Sequence, residues 1–316
     1  MHLILGFGAT GASYLRYLNE RNISTLVVDS KDRPSGLLEF DNLKIDNFLL
    51  GKFDVGVLDR VHTILVSPGI DYENEILVAG RKKGIKILTD IEIFIKESKS
   101  KKIFITGTNG KTTVVSMIGH VLNNIYENEE VVCSGNIGTP VLDTLNKKQD
   151  ISVVELSSFH LEHIKNLNSD IGVLLNVEQD HLDRHGSFDN YKKLKEKVLF
   201  GCSVGLTGKE ILLSIQSTGE KILSFEDLTK PFRKKIDNLF KSDWPDHEIL
   251  NIHSVLSIVL VFETLKNKKS LSEVLVEQSD LINKCAETLK SFKRLEHRFE
   301  VLGSRNGVTY INDSKS

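Results

Sequence analysis

A chain of 316 residues is longer than one hydrophobic core comfortably organises, so about two domains are expected. Its 41 basic and 43 acidic residues leave a net charge of -2 with no long block of either sign. That balance excludes a broad nucleic-acid surface or a basic membrane patch and confines any anion site to a local pocket.

The amino end passes from Met1 directly into a strand pattern ending at Gly6. Gly6-Phe7-Gly8-Ala9-Thr10-Gly11 follows as G-x-G-x-x-G, opening a helical pattern through Leu15 and Leu18. The spacing predicts a tight turn at Gly6, close ligand approach at Gly8 and helix packing at Gly11. Asp29, after a strand over 25–28, is placed for a ribose or a base. NAD, another nucleotide and no ligand all remain compatible with this motif. Strands over 63–66 and 85–88 with a helix over 73–83 extend a small parallel sheet. The polar run Lys96-Glu97-Ser98-Lys99-Ser100-Lys101-Lys102 marks the first boundary, so a first domain is expected over 1–95.

An apolar strand over 103–105 then leads into Gly107-Thr108-Asn109-Gly110-Lys111-Thr112-Thr113 and a helix with Val114, Val115, Ile118, Val121 and Leu122 at helical spacing. This is the pattern of a nucleotide-phosphate loop. Backbone amides curl around an anion, Lys111 places a cation on the outer phosphates, and Thr112 offers a hydroxyl to magnesium at a helix N-terminus. Strands over 131–133, 151–155 and 171–175 continue a second, larger α/β domain, expected over 96–298. Helices are predicted over 188–200, 247–265 and 271–292. Pieces over 203–206, 211–215 and 222–225 read as an antiparallel appendage. The longest apolar run, 255–262, is broken by Ser257 and too short to cross a bilayer, so no membrane association is expected. Cys133, Cys202 and Cys285 lack metal or redox spacing, as in reduced thiols of a cytoplasmic protein.

Glu155 closes an apolar strand, where a nucleotide-binding sheet places the carboxylate that holds magnesium. The loop from Asn176 to His185 gathers imidazoles and carboxylates, with His181 open to either a metal or a structural role. Lys195 shares a helix with Lys192, Lys193 and Lys197, so it belongs to a solvated basic face, or it points inward, loses its proton and adds carbon dioxide to form a carbamate. Near the carboxyl end, His297-Arg298-Phe299-Glu300 and Asn312-Asp313-Ser314-Lys315 bracket a two-strand pattern, and a phosphate grip and an ordinary hairpin both fit it.

Taken together with Ser67-Pro68-Gly69-Ile70, Thr89-Asp90-Ile91-Glu92, Ser134-Gly135-Asn136-Ile137-Gly138 and Glu155-Leu156-Ser157-Ser158-Phe159, these stretches resemble the Mur ligases of bacterial peptidoglycan synthesis. Within that family the likeness is to the ligases that add D-glutamate to UDP-N-acetylmuramoyl-L-alanine. It implies an N-terminal Rossmann-like parallel-sheet domain for the UDP substrate and a central P-loop ATPase-type α/β domain. The implied reaction uses ATP to convert a carboxylate into an acyl phosphate, which the amino-acid amine attacks. Gly107, Thr108, Asn109, Gly110, Lys111, Thr112 and Thr113 would hold ATP, with Asp313 toward the nucleoside. Two magnesium sites are implied, one at Thr112 and Glu155, the other at His181 and carbamylated Lys195. Arg298 would face the γ-phosphate and Lys315 the reacting centre. Thr10, Asp29, Ser30, Lys31, Gly69, Asn136 and Ser157 match the UDP-substrate positions, so the first glycine motif is expected to take a UDP group rather than NAD. A cytoplasmic monomer is expected.

Three departures accompany the likeness. The family's glutamine after the Glu155 motif is His160 here. Its His-Asn-x-x-Asn helix corresponds here to His253-Ser254-Val255-Leu256-Ser257, so two nucleotide-binding amides are expected to be missing. Relatives continue into a third domain, whereas 299–316 reads as a linker and the start of one, so a chain that binds ATP or the UDP-sugar but ligates poorly is expected. A non-catalytic homologue, another Mur ligase and a folylpolyglutamate synthase are the alternatives, the last disfavoured by the N-terminal glycine motif.

Overall fold

The structure, a computed structural model of the chain, describes residues 1–39, 47–136, 138–215, 221–240, 244–270, 273, 279–297 and 300–314. The chain forms two units whose segments interleave. The first comprises Met1–Ser100, Ser134–Gln149 and Leu156–Asn168; the second comprises Lys101–Cys133, Asp150–Glu155 and Ser169–Ser316.

In the first unit the elements are β1 (His2–Leu5), α1 (Ala9–Asn19), β2 (Thr25–Asp29), β3 (Asn47–Leu50), β4 (Thr63–Val66), α2 (Glu75–Lys82), β5 (Lys86–Leu88) and α3 (Asp90–Glu97). The sheet runs β3-β2-β1-β4-β5 and every pair is parallel. Strands buried on both faces need continuous apolar sequence, and β1, β2 and β4 have it. Leu3, Leu5, Val28, Ile64 and Val66 pack with Ile76 and Leu77 of α2 in one core. Strand order reverses between β1 and β4, which opens a crevice beyond their carboxyl ends. β3, with the sequence Asn-Phe-Leu-Leu, is an edge strand that the sequence reading did not assign. Asn74 starts α2 by accepting from the Ile76 N–H.

The second unit begins with β6 (Lys101–Thr106), α4 (Lys111–Ile125), most of β7 (Val131–Gly135) and β8 (Ile151–Glu155). After α5 (Ser158–His163), which belongs to the first unit, come β9 (Ser169–Leu174), α6 (Leu182–His185), α7 (Phe188–Phe200), β10 (Cys202–Thr207), α8 (Lys209–Ser214) and β11 (Ile222–Ser224). Then follow α9 (Phe225–Thr229), α10 (Arg233–Phe240), α11 (Asp246–Asn267), α12 (Ser279–Lys290), β12 (Glu300–Arg305) and β13 (Val308–Asn312). The sheet order is β11-β10-β9-β6-β8-β7. β6 lies between β8 and β9, parallel to both, so its carboxyl end emerges at the middle of the sheet.

The antiparallel appendage is the hairpin β12–β13, not the stretch 203–225. β10 and β11 instead extend the parallel sheet, and residues 211–214 are helical. The alternation Ser203-Val204-Gly205-Leu206-Thr207 suits an antiparallel strand, but Val204 to Thr207 are buried in the parallel sheet, where both faces of a strand are covered. α11 is long and apolar enough to cross a membrane by length and composition, but 72% of its apolar window is buried within the fold. It packs on α4 and α9 as a core helix.

Candidate functional site

Two cavities, one in each unit, collect the residues singled out above. In the second unit the turn after β6 is held in shape by its own side chains. Gly110 adopts φ +79°, the left-handed region, and precedes α4 with no side-chain cap, so the helix presents its N-terminus to the turn. Asn176, at the carboxyl end of β9, laces the turn: its Oδ1 accepts from the N–H of Thr108 at 3.0 Å and of Asn109 at 2.8 Å, and its Nδ2 donates to the Asn109 carbonyl. The Thr108 hydroxyl meets the Glu178 backbone and the Tyr191 hydroxyl, while Asn109 Nδ2 donates to Glu178 Oε2.

Lys111 Nζ donates to the Gly107 and Thr108 carbonyls at 2.9 and 2.8 Å. Lys195, only 1% exposed on α7, donates to the same Gly107 carbonyl at 2.7 Å. Two ammonium groups therefore share one acceptor. Burial, followed by the charge of Lys111, pushes the Lys195 amine down to about 7, against the opposing pull of Asp180 and Glu155. The inward orientation of Lys195 holds, and the solvated-face alternative does not. Glu155, 1% exposed at the end of β8, accepts from the Thr112 hydroxyl at 3.0 Å.

His181 stands in the neighbouring loop with φ +49° and its ring 3.3 Å from Asp180, its side chain half exposed. Among the described residues no group of three or more His, Cys, Asp or Glu side chains is assembled for a metal. The donors present are oxygens, the Thr112 hydroxyl and the Glu155 carboxylate. They suit magnesium, which takes one or two protein oxygens and completes its shell with phosphate and water. Arg298 and Lys315 lie outside the described residues.

Beyond the turn lies a cavity of about 490 Å³ lined by Asn109, Gly110, Phe225, Leu250, Asn251 and Asp313 among others. The serine departures change meaning here. His253 and Ser254 do line the cavity, but Ser257 is fully buried and donates to the His253 carbonyl. The His-x-x-x-Asn spacing recurs earlier on the same helix at His247 and Asn251, and both line the cavity. Asn251 Oδ1 lies 2.8 Å from where a Cβ on Gly110 would stand. An amide is thus present at the turn, and the expected loss of both amides is corrected. The sequence gives Asn176, Tyr191 and Asn251 no site role: Tyr191 enters only as a position of the family likeness beside Lys195, and the loop containing Asn176 only for its imidazoles and carboxylates.

In the first unit a cavity of about 450 Å³ lies at the crevice between β1 and β4. Thr10, Asp29, Ser30, Lys31, Gly69, Asn136 and Ser157, drawn from five separate stretches, all line it. The glycine turn is built as its spacing predicts: Gly6 has φ +88°, and a Cβ on Gly11 would stand 2.3 Å from the Gly6 carbonyl oxygen. Around Gly8 the space is open, with only Ser35 Oγ near at 3.8 Å. Asp29 is partly engaged by the fold itself, accepting from the N–H of Phe7 at 2.6 Å and of Lys31 at 2.8 Å. At the opposite wall, Ser157 caps α5, and His160 completes the capping box. Burial, then the adjacent His163, pushes His160 down to about 4.

The model described as "Mur ligase MurD-like, N-terminal domain" matches residues 1–89, and that described as "Mur ligase middle domain" matches residues 105–213. The UDP-N-acetylmuramoylalanine--D-glutamate ligase of Buchnera aphidicola subsp. Acyrthosiphon pisum (strain Tuc7) is 34% identical over 326 residues, 99% of this chain and 71% of that protein. Its counterpart in Shewanella oneidensis is 34% identical over 329 residues, 100% of this chain and 72% of that protein. The fold resembles that of a Neisseria meningitides UDP-N-acetylmuramate:L-alanyl-gamma-D-glutamyl-meso-diaminopimelate ligase, with TM-score 0.56 and 14% identity over 93% of this chain and 98% of that one. It also resembles a MurF ligase from Thermotoga maritima solved in complex with ADP, with TM-score 0.50 and 15% identity over 92% of this chain and 68% of that one. The two matched domains and the near-complete alignment with these relatives place the chain in the Mur ligase family, beside the UDP-N-acetylmuramoylalanine–D-glutamate ligases.

Proposed function

We propose that the two units provide the UDP-substrate and ATP sites of a ligase that joins D-glutamate to UDP-N-acetylmuramoyl-L-alanine in peptidoglycan synthesis, acting as a monomer in the cytoplasm. The observation that carries this reading is the convergence of Lys111, Thr112, Glu155 and Lys195 on one turn at the carboxyl end of β6. A carboxylate and a triphosphate repel each other, so the chain must supply cations and donors where negative charge concentrates.

In the proposed reaction a substrate carboxylate oxygen attacks the γ-phosphorus and ADP departs. The amine of D-glutamate then attacks the acyl carbon, loses a proton and expels phosphate. Lys111 would turn from the turn's carbonyls to the β and γ phosphates, and Gly107, Thr108, Asn109, Gly110 and Thr113 would wrap the phosphates through their backbone. Asp313, in the cavity wall, would face the nucleoside. Thr112 and Glu155 would hold one magnesium ion, which supplies neutralising charge to the phosphate oxygens when bound. Lys195, its amine lowered to about 7, has a large neutral fraction at physiological pH. As the neutral amine it can add carbon dioxide, forming a carbamate and releasing a proton, and with His181 hold a second magnesium ion. Arg298 and Lys315 would complete the positive surroundings of the transferred phosphate. In the first unit, Gly69 leaves open space while Thr10, Lys31 and Asn136 offer donors to a UDP group.

Titration calorimetry of the purified chain tests the reading. Magnesium–ADP and UDP-N-acetylmuramoyl-L-alanine are each expected to saturate one site, with Lys111→Ala abolishing the first alone. No heat from either ligand would overturn it. A phosphate-release assay comparing amino acids addresses the last step: the purified chain is expected to release little phosphate, and the chain joined to the remaining domain of a longer relative is expected to be stimulated by D-glutamate, whereas stimulation by a different amino acid instead would reassign the acceptor.

A further inference from the structure

His160 lines the first unit's cavity although it is only 5% exposed, and its ring nitrogens do not have equivalent surroundings. The Ser157 N–H lies 3.3 Å from Nδ1, and an amide N–H can only donate, so Nδ1 must accept. The His160 N–H donates to Ser157 Oγ at 3.3 Å, which turns the serine hydroxyl hydrogen toward Nδ1, 2.6 Å away. With Nδ1 accepting twice, the neutral ring carries its proton on Nε2. No partner for Nε2 is found among the described residues. Ser157, in contrast, already caps α5 through its oxygen and donates its only hydroxyl hydrogen to the imidazole.

We propose that this wall of the cavity donates to the bound uridine ligand through Nε2–H of His160, and that Ser157 is a positioning residue holding the ring in that tautomer. The proposal rests on the reading of this cavity as the UDP-substrate site. The ligand group must be an acceptor, an oxygen of the UDP part or of the sugar and peptide arm, because Nε2–H cannot accept. The substitution of glutamine by histidine also acquires a physical sense. In a capping box a glutamine accepts the N-cap N–H through its oxygen and keeps an NH2 to donate. An imidazole divides the same two tasks between Nδ1 and Nε2. The low proton affinity of the buried ring keeps this division intact at neutral pH.

Long-range 1H–15N NMR of the full chain tests the tautomer, with the His160 signals assigned by their disappearance in His160→Gln. The Nε2–H form is expected, and its nitrogen shift should move on saturation with UDP or UDP-N-acetylmuramoyl-L-alanine. The Nδ1–H form, or no movement with either saturating ligand, overturns the proposal. In calorimetry His160→Ala is expected to weaken binding about 10-fold, and His160→Gln to stay within about 3-fold of the native chain. Weakening for both ligands assigns the acceptor to the UDP part that they share, and weakening for the full substrate alone assigns it to the sugar and peptide arm. Unchanged affinity for both in His160→Ala overturns the proposal. Hydrogen exchange in β1 and α1 of the first unit reports whether the variants are folded there, and the NMR measurement on the native chain decides if His160→Ala is not. If the native chain binds ADP but neither uridine ligand, the reading of the cavity fails before the role of His160 is reached.

Discussion

Lys111 and Lys195 converge on a single carbonyl, that of Gly107, and the strain of that arrangement falls on the more buried of the two. Burial and like charge both favour the neutral amine, the form that reacts with carbon dioxide. Supplying 13C-bicarbonate at pH 8 is therefore expected to give a carbamate carbon resonance that is absent in Lys195→Met; no difference between the two proteins would show that the lysine stays unmodified. Gly110 carries a different constraint. Its φ of +79° suits glycine, and a Cβ there would stand 2.8 Å from Asn251 Oδ1. Gly110→Ala is expected to lose about 1–2 kcal/mol of stability from the left-handed backbone alone. It should also weaken magnesium–ADP binding at least about 10-fold, since the turn and Asn251 must both shift. Chemical denaturation and calorimetry check these two effects separately.

At the scale of elements, helix starts organise both sites, and α3 shows how a start can also carry a pH dependence. Thr89 and Glu92 form a capping box, and Asp90, the first helical residue, is 2% exposed. Its Oδ1 accepts from the Ile91 N–H at 2.9 Å, yet burial outweighs this bond and pushes the carboxyl up to about 7. A carboxyl whose folded value is raised binds a proton in the folded chain between pH 4 and 7 that the unfolded chain has released. Its stabilising contribution is full below about pH 4 and is lost as pH rises through about 7. Asp90→Asn keeps the acceptor for Ile91 and removes the titration. The variant is expected to melt higher than the native chain at pH 8 and to lose its advantage toward pH 5, as thermal denaturation across pH would show. An unchanged difference at both pH values would mean that Asp90 ionises normally.

For the whole molecule, the two proposed ligand sites, one in each unit, imply two separable linkages. Magnesium–ADP at 100 times its dissociation constant is expected to stabilise the second unit by about 2.7 kcal/mol, and UDP-N-acetylmuramoyl-L-alanine at the same excess to stabilise the first by as much. Hydrogen exchange assigns the protection: ADP should slow the amides of α4 and β6, the uridine ligand those of β1 and α1. In Lys111→Ala only the second pattern should remain. Protection of one common set of amides by both ligands would contradict two separate sites.

The sequence alone determined the α/β class, the two glycine turns and the apolar faces of strands and helices beside them. Each of these is set by local chemistry: the left-handed backbone of Gly6 and Gly110, the continuous apolar runs of β1 and β6, the helical spacing from Val114 to Leu122. Of the seven positions lining the first cavity, Asp29 follows from the spacing after the glycine motif, and the other six come only through family likeness, because Asn136 and Ser157 are far from Gly6 in the chain and nothing local ties them together. Tertiary structure alone decided that 134–149 and 156–168 return to the first unit, that β10 and β11 join the parallel sheet, and that Asn251 rather than Ser257 reaches the turn at Gly110. Helical periodicity identifies α11 as amply buried but not which of its turns faces Gly110. That orientation depends on how α4 and α9 pack around it, and packing is a property of many distant residues at once.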